Sequence, residues 1–584
     1  MHILGISGMA HDSAAALLAD GRIAAAMEEG KLTRARSVEG IPRAAIQYCL
    51  DKAGIGWHNL DGIAVAGRPA LACRRETLFR ARLAFRSPLS SAYFINKAFG
   101  EFGRQLNNLR ILRELSGAHP SRIASFDHHL CHASSAFFAS GYHRALVVTL
   151  DERGGNRAGL VALANGQQIR ELSSIALPNS PAWLFSQVTR LLAFSPHQDE
   201  HKTQWLSLSG DPVYAGAFLG MLRREHRRGP RLNREYFTNS FGAELCFAPE
   251  FYRRLQIPES GARNGKPQLS FAQRANIAAS LQEALNIVLT EWVEALRAKT
   301  QERNLCLAGG LFLNPLLVSS IERKTGFERV FVQPAAGNEG TALGAAWLAS
   351  QSAAAPHPGP LSNLYLGPEF SNQEIKSVLD NCKAPYRWCE SEDHKIQEAL
   401  RLLVAGKTVA WCQGSAEFGP RALGNRSLLA YPWAPYVQEN LNDYIKHRES
   451  FRPFALSIPA EDATEYFDAS PNAAFMTTMA APKDRALKLL AGLPGFLAGN
   501  LARLHVVRRE DNPLFWKLLK ETGKTSLPAV AGQPAATGPA PILVNTSFNL
   551  FGEPLVVTPR DAVRSYYCSG IDALLIGSFL LTKR

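Results

Sequence analysis

The first 35 residues alternate short apolar runs with turn residues, and this opening constrains the fold more than anything after it. HILGIS, SAAALLA and RIAAAMEE read as three strands, with Asp20–Gly21 closing the second turn. A meander of this kind opens the chain, and residues 41–54 then carry a helical pattern. Further on, RALVVTLD is a buried strand ending on a carboxylate, Asp151, and it runs into ERGGN. CLAGGLFLNP is another strand, meeting a glycine pair at Gly309 and Gly310 and then a helix. PAAGNEGTALGAAW sets Gly337, Gly340 and Gly344 ahead of a further helix, and residues 271–300 show helical periodicity.

These turns together fit an α/β chain whose first part, 1–351, is an actin-like nucleotide domain. A chain of 584 residues is too long for one core, so a second domain is expected. SAAAPHPGP breaks the patterned sequence, which makes 352–360 the linker and 361–584 the second domain. That part carries helical signals at 396–404, 436–446 and 511–521, strands at TVAWCQ, PILVNTSF and ALLIGSFLL, and a Pro/Ala/Gly-rich loop at 533–541.

The composition is that of a globular protein, 46% hydrophobic and 20% charged. No apolar run reaches the roughly 18 residues of a membrane span, and MHILGISGMA has no leader pattern, so a soluble cytoplasmic protein is expected. Nine scattered cysteines without a C-x-x-C pair read as reduced thiols. The net charge of +13 is concentrated in 72–118 and in RREHRRGPRLNR. Phenylalanines among those arginines allow a nucleic-acid reading. The simpler reading is a helical insertion with a solvated basic face, which also steers anionic small substrates; no nucleic-acid or membrane partner is expected.

Three groups of residues carry chemistry. In DHHLCHASSA, His128 and His132 are four apart, the spacing of two metal ligands on one helix face, while His129 points elsewhere. A purely structural histidine pair has the same spacing. Asp151 sits where open α/β sheets present functional groups, at the carboxyl end of a strand. The glycines at 309, 310 and 337 leave room for a nucleotide or sugar, or form tight turns only, and Gly344 permits close helix packing. In SAEFGPRALGNRSLLA, Arg421 and Arg426 lie five apart among small residues, a frame suited to an anion. Lys446, Arg448 and Arg452 follow in IKHRESFRPFA.

GMAHDSAAAL, HHLCHASSA, LAGGLFLN, GPRALGNRSLL, FRPFA and VNTSFNLFGEPLV resemble the nodulation-type and tobramycin-type O-carbamoyltransferases, across nearly the whole chain. The resemblance implies an actin-like (ASKHA-type) domain followed by a YrdC-like α/β domain. It implies that carbamoyl phosphate is cleaved in the second and that ATP, with Mg2+, captures the carbamate as carbamoyl-adenylate. The first domain then passes the carbamoyl group to the hydroxyl of a small acceptor, a secondary metabolite, beside a divalent metal, with iron the first choice. A homodimer is a further expectation from the family.

By motif position the metal ligands are His128, His132 and Asp151, with Asn338 standing where relatives carry aspartate. An asparagine carbonyl still coordinates but brings no charge, and Glu339 is an alternative fourth ligand. His11, followed by Asp12, matches the histidine that assists deprotonation of the acceptor, although both residues also suit a simple turn. Lys202 survives in EHKTQWLSLSG, where the flanking residues differ from the commoner pattern, and MEEGKLTR has Gly30 and Lys31 in place of glutamate and arginine. The C-terminal cations become ligands of the carbamoyl phosphate dianion, and Asn545, Thr546 and Ser547 supply neutral hydrogen bonds to carbamate or adenylate. Two other functions fit parts of the pattern. An actin-like sugar kinase explains the nucleotide turns but not the arginines, and a tRNA-modifying enzyme uses the basic insertion.

Overall fold

The computed structural model describes the chain except residues 9–10, 37, 68–102, 104–105, 118–122, 224–228, 238–246, 259–268, 352–358, 492, 499, 526–539 and 584. Most of the basic insertion read at 72–118 lies outside the described residues, as do most of the linker at 352–360 and of the loop at 533–541. The chain forms two compact units. One comprises Met1–Ala25 and Val38–Leu361, the other Ala26–Ser37 and Ser362–Arg584.

The first unit holds two five-stranded sheets of one design. In the first, β1 (His2–Ser7), β2 (Ala14–Ala19) and β3 (Arg22–Glu28) form the opening meander, and β4 (Gly62–Ala66) and β5 (Ile123–Phe126) extend it in the order β3-β2-β1-β4-β5. β1 pairs antiparallel with β2 and parallel with β4, which pairs parallel with β5. In the second, β6 (Arg144–Gly154), β7 (Arg157–Asn165) and β8 (Gln168–Ala176) form another antiparallel meander. β9 (Asn304–Ala308) and β10 (Arg329–Val332) extend it in parallel on the β6 side, giving β10-β9-β6-β7-β8. The repeated order, three antiparallel strands and two parallel additions beside the first, makes this unit a mixed α/β structure.

β1 and β2 are almost wholly apolar because both faces are covered, unlike a half-exposed strand that alternates. Among the helices of this unit, α2 is Arg43–Ala53, α3 is His128–Ser140, α4 is Phe271–Thr300 and α5 is Thr341–Gln351, while α1 (Glu29–Thr33) continues β3 and belongs with the second unit. α4 opens on a Ser270–Gln273 capping box. Gly344 of α5 faces α3 so closely that a Cβ there would lie 1.9 Å from the Cys131 carbonyl oxygen. Close helix packing is therefore its role.

The second unit is built on one mixed sheet of eleven strands among the described residues. Its longer strands are β11 (Val409–Cys412), β12 (Arg426–Ala430), β13 (Ala455–Pro459), β14 (Met479–Pro482), β15 (Leu501–Val507), β16 (Leu543–Ser547), β17 (Ala573–Ile576) and β18 (Phe579–Thr582). They lie in the order β18-β17-β11-β12-β16-β13-β15-β14. ALLIGSFLL, read as one strand, is a hairpin: Gly577 takes a φ of 53° between β17 and β18. Helices Glu392–Val404 and Pro513–Thr522 bury Ile396, Leu400 and Leu403, and Phe515, Leu518 and Leu519, at helical spacing. Residues 436–446, read as helical, include a seven-residue π-helix, Asn440–Lys446, a form that recurs at functional sites.

Ala26–Ser37 joins this second unit through buried ionic contacts. Lys31 Nζ donates to the carbonyls of Glu417 (2.8 Å) and Gly419 (2.6 Å) and pairs with Glu28 (2.9 Å). Glu28 accepts from the Gly419 amide at 2.7 Å, and Arg34 reaches Glu553 (2.8 Å) and the Leu555 carbonyl (2.6 Å). Charged residues directly after a strand carry no sign of such burial, so the boundary read at 351–361 omits this segment. No described helix is long and apolar enough to cross a membrane.

Candidate functional site

Each unit gathers one set of polar residues. In the first, Asp127 caps α3 by accepting from the Leu130 amide at 3.1 Å, which fixes the register of the helix start. His128 and His132 then stand one turn apart on the side facing the end of β6. Their Nε2 atoms are 3.1 Å from each other, and each is 3.1 Å from Oδ2 of Asp151. Metal–nitrogen bonds of about 2.1 Å at near-right angles put neighbouring ligand atoms about 3 Å apart, so this triangle has the size of one face of a coordination shell. These three are the group able to hold a metal among the described residues.

Burial works against a charged Asp151, but hydrogen bonds from His128 and His132 outweigh it and hold the carboxyl well below the ordinary carboxylate range. Burial lowers His132 against the pull of the same carboxylate, favouring the neutral imidazole that a metal requires. His129 is turned away, as read from the sequence. Its ring bonds to Thr149 Oγ1 (3.0 Å) and the Arg157 carbonyl (3.2 Å), and burial pushes it down to about 3.

His11 and Asp12 lie in the loop after β1, Asp12 with a φ of 54°. Asp12 Oδ2 is 2.9 Å from His11 Nδ1; that hydrogen bond raises the imidazole, against burial. Asn338 Nδ2 lies 2.9 Å from His11 Nε2, while Asn338 Oδ1 is buried without a partner. Asn338 is thus set against His11, with a carbonyl oxygen to spare. A pair invisible in the sequence adds to this group: His197 Nδ1 is 3.1 Å from Glu152 Oε2. Glu152 raises His197, and the charge of His11 lowers it, so the two histidines feel one another. Only the position of Glu152, directly after Asp151, hints at this pair.

The glycine turns frame the same strand ends. Gly309 has a φ of 101°, and a Cβ would lie 2.1 Å from the Leu150 carbonyl oxygen, so only glycine lets the end of β9 lie against β6 beside Asp151. A Cβ on Gly310 would come within 3.2 Å of Asp151 Oδ1, and one on Gly337 would meet the Glu339 carboxylate. Lys202 pairs with Asp199 at 3.3 Å and lies 5.7 Å from the Phe194 ring centre.

The second unit gathers cations. Lys446, at the end of the π-helix, is buried; its Nζ donates to the Ser547 carbonyl and, at 3.3 Å, to Ser547 Oγ. It also donates to the Asn549 carbonyl (3.1 Å) and Asn549 Oδ1 (2.8 Å). Burial and the charges of Arg448 and Arg452 push Lys446 well below the ordinary lysine range. Burial and Arg452 lower Arg421 to about 10. Arg448 donates to Asn442 Oδ1 at 2.8 Å and is depressed by burial and then by Arg452. Glu449, 3.7 Å from Arg452, belongs to the same group.

Arg503 on β15 is a member that the sequence does not disclose: burial, then Arg421, Arg448 and Arg452, push it far down. In LARLHVV it reads as a single arginine in a strand. Asn549, four residues beyond Asn545, is missed for a similar reason. Thr546 points to the opposite face of the sheet from Asn545 and Ser547, because strand side chains alternate.

Arg426 has another place than the one expected beside Arg421. It is 1% exposed and donates to the carbonyls of Gln413 (2.8 Å), Gly414 (3.0 Å), Asn425 (3.1 Å), Pro368 (3.2 Å) and Val557 (3.3 Å). Five carbonyls take up the fork, so Arg426 holds the loop while Arg421 joins the cations. Buried Glu417 completes the loop, one oxygen accepting from the amides of Leu423, Asn425 and Arg426 at 2.8–3.1 Å. Arg426→Ala should therefore unfold the second unit, by about 3 kcal/mol or more, since several buried acceptors lose their donor together. Urea denaturation measures this, and Arg426→Lys should restore little, because one ammonium does not span the five carbonyls.

Two family models cover the chain: carbamoyltransferase N-terminus over residues 2–347 and carbamoyltransferase C-terminus over 400–583. An uncharacterized protein of Synechocystis sp. is 33% identical, the match spanning 100% of this chain and 97% of that protein. Nodulation protein NolNO of Sinorhizobium fredii is 31% identical over 98% of this chain and 79% of its own. The 3'-hydroxymethylcephem-O-carbamoyltransferase of Amycolatopsis lactamdurans is 31% identical over 47% of this chain and 48% of its own.

Proposed function

The chain belongs to the carbamoyltransferase family and is a transferase, and from that premise we propose that it carbamoylates a hydroxyl of a small-molecule acceptor, using carbamoyl phosphate and ATP. The observation that carries this reading is the meeting of Arg421, Lys446, Arg448, Arg452 and Arg503, where burial and then the neighbouring positive charges lower Arg421, Lys446, Arg448 and Arg503. Such a cluster gains most from a compact dianion. Carbamoyl phosphate is one; water splits it into phosphate and carbamate, the guanidiniums stabilising charge on the departing phosphate. Carbamate oxygen then attacks the α-phosphorus of ATP, pyrophosphate leaves, and carbamoyl-adenylate forms. We assign these steps to a YrdC-like second unit, with Asn545 and Ser547, which share one face of β16, as its neutral hydrogen-bonding groups, while Thr546 lies on the other face.

The transfer step belongs, in this reading, to the first unit, whose doubled sheet order supports an actin-like domain. The glycine turns at 309, 310 and 337 leave space for the adenylate, and Lys202 is a further nucleotide contact. His128, His132 and Asp151 suit a divalent ion, and two histidines with one carboxylate form the set found on iron. Such an ion would polarise the carbamoyl carbonyl, with Asn338 as a further oxygen ligand through its spare Oδ1. His11, oriented by Asp12, takes the proton of the acceptor hydroxyl at Nε2, where the hydroxyl replaces the Asn338 amide, as the hydroxyl oxygen attacks the carbamoyl carbon and AMP leaves.

The test is to supply isotope-labelled carbamoyl phosphate, ATP and a metabolite pool, and to follow nucleotide products and labelled carbamates by mass spectrometry. AMP, pyrophosphate and a labelled adduct are expected. ADP without an adduct would indicate a kinase, and dependence on added tRNA a nucleic-acid modifier.

A further inference from the structure

Like charges gathered at one point push apart, so the cations of the second unit keep their places only if the loops that carry them are fixed from outside. Arg421 follows Gly419 and Pro420. Proline has a fixed φ, which leaves Gly419, with a φ of 99°, as the soft link before Arg421. Both peptide groups of Gly419 are pinned by one short segment near the start of the chain. Its amide donates to Glu28 Oε1 at 2.7 Å, and its carbonyl accepts from Lys31 Nζ at 2.6 Å. Glu28 and Lys31 meet each other at 2.9 Å, and Lys31 also donates to the Glu417 carbonyl at 2.8 Å. All three donors of this buried ammonium are engaged in holding the turn ahead of Arg421.

The same segment reaches a second cation by a separate route. Arg34, which closes α1, donates through Nη2 to Glu553 Oε2 (2.8 Å) and through Nη1 to the Leu555 carbonyl (2.6 Å). The Glu553 carbonyl accepts from Asn549 Nδ2 at 2.7 Å. Asn549 in turn accepts from Lys446 Nζ at its own carbonyl (3.1 Å) and at Oδ1 (2.8 Å). Residues 28–34 belong to the second unit by their packing, and they hold the loops of two different cations. A buried ion pair adds little to stability beside apolar packing of the same volume; what Glu28 and Lys31 secure is the position of one peptide.

We propose that Lys31, paired with Glu28, and Arg34 are positioning residues for the cations of the second unit: Lys31 sets where Arg421 stands, and Arg34 sets the loop on which Lys446 rests. The proposal rests on reading this unit as an anion site, and it gives that site a support from a segment almost 390 residues away from Gly419. Neither residue touches the anion. Each acts through a main-chain loop, so its loss shifts a cation without removing it. A shift of about 1 Å in a group that binds a reacting anion costs up to about 10²-fold.

The experiment titrates the full chain with inorganic phosphate by calorimetry, which reports the dissociation constant and the stoichiometry separately. Lys31→Ala should raise the Kd by about 10-fold or more. Lys31→Arg keeps the charge and the donors, and should return it to within about 3-fold of the wild type. Arg34→Ala should raise the Kd by about 3-fold, a smaller effect because Lys446 keeps its contacts to Ser547. A role in stability alone lowers the stoichiometry and leaves the Kd where it was, and that result in Lys31→Ala overturns the proposal. Lys31→Arg binding no better than Lys31→Ala also overturns it, and an unchanged Kd in Arg34→Ala removes Arg34 from it. Should Lys31→Ala not fold, Lys31→Gln decides: a rise of at least about 3-fold is expected, and no rise overturns the proposal. A wild type that binds no phosphate refutes the anion reading itself, and the role of Lys31 with it.

Discussion

Arg421→Ala should lower carbamoyl-phosphate-dependent pyrophosphate release by about 10²- to 10³-fold, the usual cost of removing one group that stabilises charge on a departing oxyanion. Burial, and then the charge of Arg452, lower its pKa to about 10, so at neutral pH it remains a cation crowded by like charges. A dianion relieves that crowding, and the relief is lost with the guanidinium. Arg421→Lys should recover part of the rate, because a point charge replaces a fork. Steady-state pyrophosphate assays check both variants. Wild-type rates in Arg421→Ala would remove the anion role from this residue.

His132→Ala should act on the other half of the reaction. Its Nε2 is shared among His128 and Asp151 at 3.1 Å, and alanine there breaks the three-point set. Loss of one of three ligands should lower divalent-ion occupancy at least about 10-fold, and carbamoylation of the acceptor by about 10³-fold or more. Pyrophosphate release should continue near the wild-type rate, since the cations that support it are untouched. Elemental analysis of the purified variant reports the first effect independently of activity.

Much of this arrangement is legible in the sequence where chemistry and periodicity coincide. His128 and His132 fall one helical turn apart, Asp151 ends an apolar run, and the structure brings all three to one point. Lys446, Arg448 and Arg452 are close in sequence as well as in space. Arg426 shows the limit of that reasoning: five residues from Arg421, it begins a strand, and its fork is consumed by main-chain carbonyls. Spacing says that two arginines are near, not which way each points. Arg503, Asn549 and the Glu152–His197 pair are illegible for the opposite reason, since only strand pairing and loop closure bring them to their partners. The passage of Ala26–Ser37 into the second unit depends on buried contacts to carbonyls more than 380 residues away. A local pattern carries nothing of that.

The central claim is a division of labour: cations of the second unit make an activated carbamoyl group, and the histidine–carboxylate set of the first unit delivers it to an alcohol. The most direct measurement gives preformed carbamoyl-adenylate to Arg421→Ala and His132→Ala, with an acceptor that the wild type uses, and quantifies the carbamate ester. The account predicts that Arg421→Ala regains near-wild-type transfer while His132→Ala stays inactive, because the two substitutions weaken different transition states. Equal failure of both folded variants would mean that one shared site carries both steps, and would contradict the division.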